Sequence, residues 1–211
     1  MFTITLTIIV ITCLVSLAAF GNAKIQEDLI FWPAAMKNGK QYHRFFTYGL
    51  IHADYLHLGF NMISFWSFGQ FVEKTLFTHY FEGQGKLLFI LLYVLAIIIS
   101  ALPDYFRHRN NYAYRALGAS GAVSAVIFAG IMLHPTLPIG FFFIPIPIPG
   151  YLFALIFLAL STYLARRGRD NIGHGAHITG AIFGLVYVIV VARLVGGFDA
   201  VQAFIEAIQR R

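Results

Sequence analysis

What most constrains this chain is where its charge is missing. Six long stretches, about residues 2–20, 55–72, 86–102, 116–133, 149–165 and 174–195, are almost free of Asp, Glu, Lys and Arg. A helix needs about 20 apolar residues to cross a hydrocarbon core of ~30 Å, and hydropathy divides the chain into six such runs, with one long connection at 21–54. Of the 211 residues 59% are hydrophobic and 11% charged, where a soluble domain carries about 45–50% and ~25%. The expectation is an all-α polytopic membrane protein, a single domain over 1–211 built as a six-transmembrane-helix bundle, with no room for a soluble domain beside it.

The net charge of +6 does not point to nucleic acid. The basic residues sit in short clusters at the ends of apolar runs, such as Arg107 with Arg109 and Arg166 with Arg167 and Arg169, where membrane lipid headgroups are the natural partner. Cys13 is the one cysteine, so no disulfide can form within the chain. The first run has Gly21 and Ala23 at a tolerable cleavage position but no basic n-region, and its apolar core exceeds the usual ~7–15 residues, so it reads as a retained span.

Polar residues are unevenly shared. Runs one, three and five are nearly pure hydrocarbon and read as lipid-facing scaffold. Runs two, four and six hold His57 and Asn61, then Ser120, then His174 and His177. The 21–54 connection mixes Trp32, Tyr42, Phe45, Phe46 and Tyr48 with charges, which suits a structured interfacial segment. The 134–150 connection holds five prolines, which excludes continuous helix there.

Each polar residue in a span costs several kcal/mol unless it faces the bundle interior or water. In ALGASGAVSA, 116–125, Ser120 falls near a helix N-terminus, where free N–H groups and the positive dipole end stabilise an anion. A serine attacking a carbonyl there sets its oxyanion beside its own N–H. The other reading is packing: Gly121, Ala125 and Ala129 make a small-residue ridge. His57 and Asn61 stand at i and i+4 on one face, able to donate hydrogen bonds to an oxyanion or simply to hold helices together. Gly180 and Gly184 share the face of His177, which lets that face approach a neighbour closely and bring the imidazole to a serine. His174 points the same way one turn earlier.

Co-occurrence decides between these readings. A nucleophile at a helix N-terminus, a base on a glycine-faced helix and two donors on a third helix are the parts of an acyl-transfer site. Asp54, Asp104 and Asp170 all fall in expected connections, so a Ser–His dyad is the economical assignment. No HExxH is present for a metalloprotease. His57, His174 and His177 lack an acid or cysteine among them, so neither a metal nor a cofactor is expected.

These residues resemble the rhomboid intramembrane serine proteases. The likeness covers nearly the whole chain: HRFFTYGLIHADYLHLGFNM, then GASGAVSAV, then GHGAHITGAIFG, in the family's order on runs two, four and six. It implies Ser120 of GxSG, flanked by Gly118 and Gly121, as nucleophile, and His177 of AHxxGxxxG as general base. It implies His57 and Asn61 of HxxxN, with the Ser120 backbone N–H, as oxyanion donors. Arg44 matches the arginine of the first connection and Glu73 the acid ending run two, both as structural residues.

Two positions depart from the family pattern. His43 precedes Arg44 where tryptophan is common, and Ser124 stands where many members place an aromatic that stacks on the histidine. The resemblance implies cleavage of peptide bonds in or next to transmembrane segments of protein substrates, by one chain acting alone. It also implies an integral protein of a bacterial cytoplasmic membrane with its site opening to the extracytoplasmic side. That orientation puts ten of the fifteen basic residues outside, against the positive-inside rule. The stretch ARRGRDNIG, 165–173, is the expected hinge of a lid. A catalytically silent relative would share the fold but lack the serine or histidine, and a polar-lined transporter would not need a serine at a helix N-terminus.

Overall fold

Helix α1, Ile4–Phe20, shows how the bundle is sorted. Its buried residues are Thr5, Thr12, Ser16 and Ala19, while Val10, Ile11, Leu14 and Leu17 are exposed. Small hydroxyl-bearing side chains face inward and hydrocarbon faces outward, as in helices that pack closely and share hydrogen bonds inside a bilayer. The computed structural model describes residues 3–37, 39–141, 144–167 and 173–210. The 21–54 connection is structured, with α2 (Ala23–Leu29), α3 (Pro33–Met36) and α4 (Arg44–Thr47). After it come α5 (Tyr55–Phe71), α6 (Thr78–Phe81), α7 (Gly85–His108), α8 (Ser120–Leu133), α9 (Gly150–Arg167), α10 (His174–Val191) and α11 (Ala200–Gln209).

Helical structure is continuous enough from Tyr55 to His108, and again from His174 to Gly196, for both stretches to be long and apolar enough to cross a membrane; Ile4–Phe20 and Ser120–Leu133 are shorter apolar helices. The first stretch is not one rod. The rings of Phe65 and Tyr93 lie 4.7 Å apart, whereas 28 residues of straight helix would separate them by about 42 Å. The chain reverses at a tight turn over Glu82–Gln84, where Glu82 takes a positive φ of 32°.

Helix α8 is the centre: every residue from Gly121 to Leu133 except Ile127 is buried. Its main neighbour is α10, with α5, α7, α9 and α11 also against it. The α8–α10 approach depends on glycine. A Cβ on Gly180 would land on the Gly121 carbonyl oxygen and one on Gly184 on that of Ala125, so the two backbones touch there. Glu73, buried in a widened turn after α5, accepts hydrogen bonds from Ile4 N, Thr5 N and Thr5 Oγ1 at 2.7–2.8 Å. It therefore caps the first turn of α1 from another helix.

Four sequence expectations are corrected. The fourth run does not start as helix: residues 116–119 are outside it, with Ala116 paired to Phe31 as an isolated antiparallel bridge, and α8 begins at Ser120 itself. Helix α7 continues through Pro103 to His108, so Asp104 lies inside it and not in a connection. Pro103 lies inside that helix, with Asp104 to His108 still helical after it. The first run is not plain scaffold, because Ser16 and Thr5 point inward to partners on other elements. The all-α description also has an exception: Pro138–Phe141 (β1) pairs antiparallel with Ile144–Pro149 (β2). A two-stranded ribbon has only edges, and on an edge a proline nitrogen can face away from the partner strand. The expected lid hinge falls largely on 168–172, outside the described residues.

Candidate active site

The loop entering α8 is held at three points by the 21–54 connection. Phe31 and Ala116 exchange backbone hydrogen bonds at 3.0 and 3.1 Å, Gly118 N donates to Tyr48 O at 2.9 Å, and Ala119 N approaches His52 Nε2 at 3.4 Å. Gly118 has φ +116°, a conformation that side-chain-bearing residues avoid. Ala119 O accepts from Val123 N at 3.0 Å and so starts the helix. The first-turn N–H groups, beginning with Ser120, have no acceptor within their own helix.

Ser120 and His177 meet at this end of the bundle. His177 Nε2 lies 2.6 Å from Ser120 Oγ, a hydrogen bond between α10 and α8. The glycine-mediated contact described above brings them together: with Gly180 and Gly184 on the His177 face, α10 lies close enough for the imidazole to reach across. Both side chains are half-buried. His174 is buried one turn earlier, its ring edge-on to that of His177 at 6.0 Å.

The His57 ring lies at the same end, against Gly118, and Asn61 follows one turn later on α5. Asp54 caps α5 by accepting from His57 N at 2.7 Å, and His57 Nδ1 faces Ala53 N at 3.4 Å. A ring nitrogen that accepts leaves the proton on the other one, so Nε2 is the donor. That nitrogen lies 3.0 Å from a Cβ built on Gly118; any larger residue at 118 would overlap the imidazole. Asn61 is buried and its Nδ2 donates to His57 O at 3.0 Å, with its second N–H unspent in that bond. Gly121 packs so closely on Ser100 Oγ that a Cβ there would collide with it.

The supporting residues are structural in place. Arg44 is buried and donates from Nε to Gln41 Oε1 at 2.7 Å and from Nη1 to Glu27 O and Ile30 O at 2.6 Å, stapling the first connection together. His43, in the position where tryptophan was the commoner expectation, instead contacts Asp28 O through Nε2 at 3.2 Å. Asp104 accepts from Tyr114 OH at 2.7 Å, and burial together with that carboxylate pushes the Tyr114 hydroxyl above its usual range.

Three contributors escaped the sequence reading. Phe157 of α9 lies with its ring 6.4 Å from that of His177, tilted by 35°. No spacing in the sequence links 157 to 177. Tyr48 and His52 sit in a connection that reads as interfacial, and only their i-to-j contacts with 118 and 119 reveal them. The period of Thr5, Thr12, Ser16 and Ala19 was the one visible signal that the first helix has an inner face.

A family model described as Rhomboid domain matches residues 39–194. The chain is 29% identical over 187 residues to "Rhomboid protease GlpG" of Pectobacterium atrosepticum, covering 87% of this chain and 60% of that protein. It is 28% identical over 167 residues to the protein of the same name from Haemophilus influenzae, covering 77% and 78%. It is also 29% identical over 148 residues to "RHOMBOID-like protein 12, mitochondrial" of Arabidopsis thaliana, covering 66% of this chain and 43% of that one. The chain thus spans about half the length of the Pectobacterium and Arabidopsis relatives.

Proposed function

The chain belongs to the rhomboid family and is an integral membrane protein, and from that premise we propose that it is an intramembrane serine endopeptidase with a Ser120–His177 dyad. The observation that carries the reading is the 2.6 Å contact between His177 Nε2 and Ser120 Oγ at the start of a buried central helix.

In the proposed reaction Ser120 Oγ attacks the carbonyl carbon of a substrate peptide bond as its proton passes to His177 Nε2. The carbonyl oxygen becomes an oxyanion between the Ser120 N–H, His57 Nε2–H and the free Asn61 N–H. Collapse breaks the C–N bond, and His177 returns the proton to the leaving amine. Water then attacks the acyl-enzyme, giving its proton to His177, and Ser120 is regenerated with a new carboxyl terminus on the substrate.

Water can reach the site because of the length of α8. Its 14 residues span about 21 Å, less than the ~30 Å of a hydrocarbon core. An end of that helix then lies below the membrane surface, and the irregular loop before it is tolerable only when buried in protein or lining a wet cavity. The reading takes the six apolar helices as six crossings and the site mouth as extracytoplasmic, in keeping with the family pattern. Substrates are transmembrane segments, which must unwind locally because a helical peptide bond is hydrogen-bonded and shielded.

The test is cleavage of a model transmembrane substrate by purified protein in detergent, beside Ser120→Ala and His177→Ala. Cleavage by wild type and loss in both variants supports the reading. A Ser120→Ala protein that cleaves as well as wild type refutes it.

A further inference from the structure

His52 is 1% exposed, lies on no helix, and has no part in the dyad or among the oxyanion donors. It sits near the end of the first connection, just before α5, and it touches α1, α5 and the loop entering α8 at once. Its Nδ1 is 3.0 Å from Ser16 Oγ on α1, its Nε2 is 3.4 Å from Ala119 N beside the nucleophile, and its ring meets that of His57 edge-on at 4.9 Å and 71°.

The hydrogen-bond pattern fixes the ring's tautomer. Ser16 has one hydroxyl proton and stands 2.9 Å from Leu50 O, which can only accept. When Ser16 donates there, its lone pair faces His52 Nδ1, which must then carry the imidazole proton. Nε2 is left bare, as the Ala119 N–H requires. The opposite tautomer would set Nε2–H against Ala119 N–H, donor to donor, and leave Leu50 O without the Ser16 proton. One arrangement satisfies every group, and it runs from Ala119 N–H to His52, to Ser16, to Leu50 O. Burial first and the neighbouring His57 second pull His52 down to about 3, so the ring stays neutral and keeps its acceptor at working pH.

The peptide that this relay holds is the one most in need of holding. Gly118, just before it, has no side chain to restrain its torsions and sits at φ +116°. On the other side, Ala119 O is fixed by Val123 N. We propose that His52 is a positioning residue for acyl transfer at Ser120: it pins the Ala119 amide and backs the His57 ring, so that Ser120 N–H and His57 Nε2 converge on one oxygen. The inference rests on the protease reading. It ties the first helix, through Ser16, to the alignment of the oxyanion site on two others.

The experiment measures kcat and KM separately for the full chain in detergent with a transmembrane substrate, comparing wild type with His52→Phe, His52→Gln and Ser16→Ala. Phenylalanine keeps a planar ring against His57 but neither accepts nor donates; glutamine can do both. For His52→Phe the expected kcat is about 10- to 100-fold lower, less than the ~10²–10³ for outright loss of an oxyanion donor, with KM within about twofold since the substrate-binding surface is untouched. Glutamine should restore at least about a fifth of the wild-type kcat, because a side-chain acceptor again faces Ala119 N–H. If His52→Phe does not give a monodisperse helical protein, Ser16→Ala takes its place, with a fall in kcat of about three- to tenfold expected from loss of one neutral hydrogen bond. A folded His52→Phe with near-wild-type kcat, a change in KM alone, no recovery with glutamine, or an unaffected Ser16→Ala overturns the positioning role. A wild type that cleaves nothing overturns the protease reading and this inference with it, whereas an active wild type with indifferent variants overturns this inference alone.

Discussion

Gly180→Ala is the sharpest probe of how the site is assembled, because it adds one methyl group on a face packed against α8. A Cβ at 180 would overlap the Gly121 carbonyl oxygen and lie 2.8 Å from Gly121 C and 3.1 Å from its Cα. These are backbone atoms, so no flexible side chain can yield. Restoring ordinary contact at ~3.5 Å or more requires α10 and α8 to separate by at least about 0.7 Å at this level, and by more against the oxygen. His177 is one turn away on the same helix, 2.6 Å from Ser120 Oγ. A shift of about 1 Å would carry that pair past ~3.5 Å, beyond a useful hydrogen bond. Misplacement on that scale costs about 10²-fold in rate, and overpacking costs about 1–3 kcal/mol of stability. The assay is kcat on a transmembrane substrate, beside thermal unfolding in the same detergent. Reaction of Ser120 with a fluorophosphonate serves as a substrate-free second measure. A well-folded Gly180→Ala protein with kcat within threefold of wild type would show that close backbone contact does not set the Ser120–His177 distance.

Other substitutions separate chemistry from scaffold. If His57 and Asn61 are oxyanion donors as proposed, His57→Ala and Asn61→Ala should each lower kcat by about 10²–10³ with little effect on unfolding, and equal kcat in either variant would remove that side chain from the proposed oxyanion site. Glu73→Ala leaves the donors at Ile4 and Thr5 without partners and should cost about 1–3 kcal/mol or more, seen as a lower melting temperature with unchanged kcat per folded molecule. Arg44→Lys cannot reproduce the three-bond fork to Gln41, Glu27 and Ile30 and should make the first connection more susceptible to proteolysis. His52, held neutral in the fold at about 3 against ~6.5 when unfolded, contributes stability that is full above pH ~6.5 and declines as pH falls toward about 3. In that window the unfolded state binds a proton that the folded state does not. His52→Gln should flatten the stability-against-pH slope there, as read by unfolding midpoints between pH 4 and 7, and an unchanged slope would count against a buried neutral ring.

How much of the site could be read in advance differs from residue to residue. Ser120, His57, Asn61 and His177 are legible because each is a polar group in an apolar run, where its cost demands a use. Gly180 and Gly184 are legible by period, at i+3 and i+7 from His177. Ser16 is a polar group in an apolar run too, but one hydroxyl among many alternatives carries no address for its partner. His52 and Tyr48 lie in a connection where polar and aromatic residues are unremarkable, and Phe157 is one of 22 phenylalanines. The early end of the fourth run was hidden because Ala116, Leu117, Gly118 and Ala119 carry no polar side chain, and are as readable as helix as they are as the non-helical segment in which Ala116 pairs with Phe31.

The sequence by itself determined the solvent the protein folds in, which apolar runs become helices, and which few polar side chains must face inward. These are local properties, set by transfer free energy and helical period along a single segment. Only the tertiary structure decided that Ser120 starts its helix, that α8 and α10 touch backbone to backbone, and that the first connection holds residues 116–119 from outside. Those depend on pairs far apart in the chain, 57 residues from Ser120 to His177 and 67 from His52 to Ala119. A hydrogen bond is directional and short, so its existence is a fact about two backbones in space, and neither segment encodes it alone.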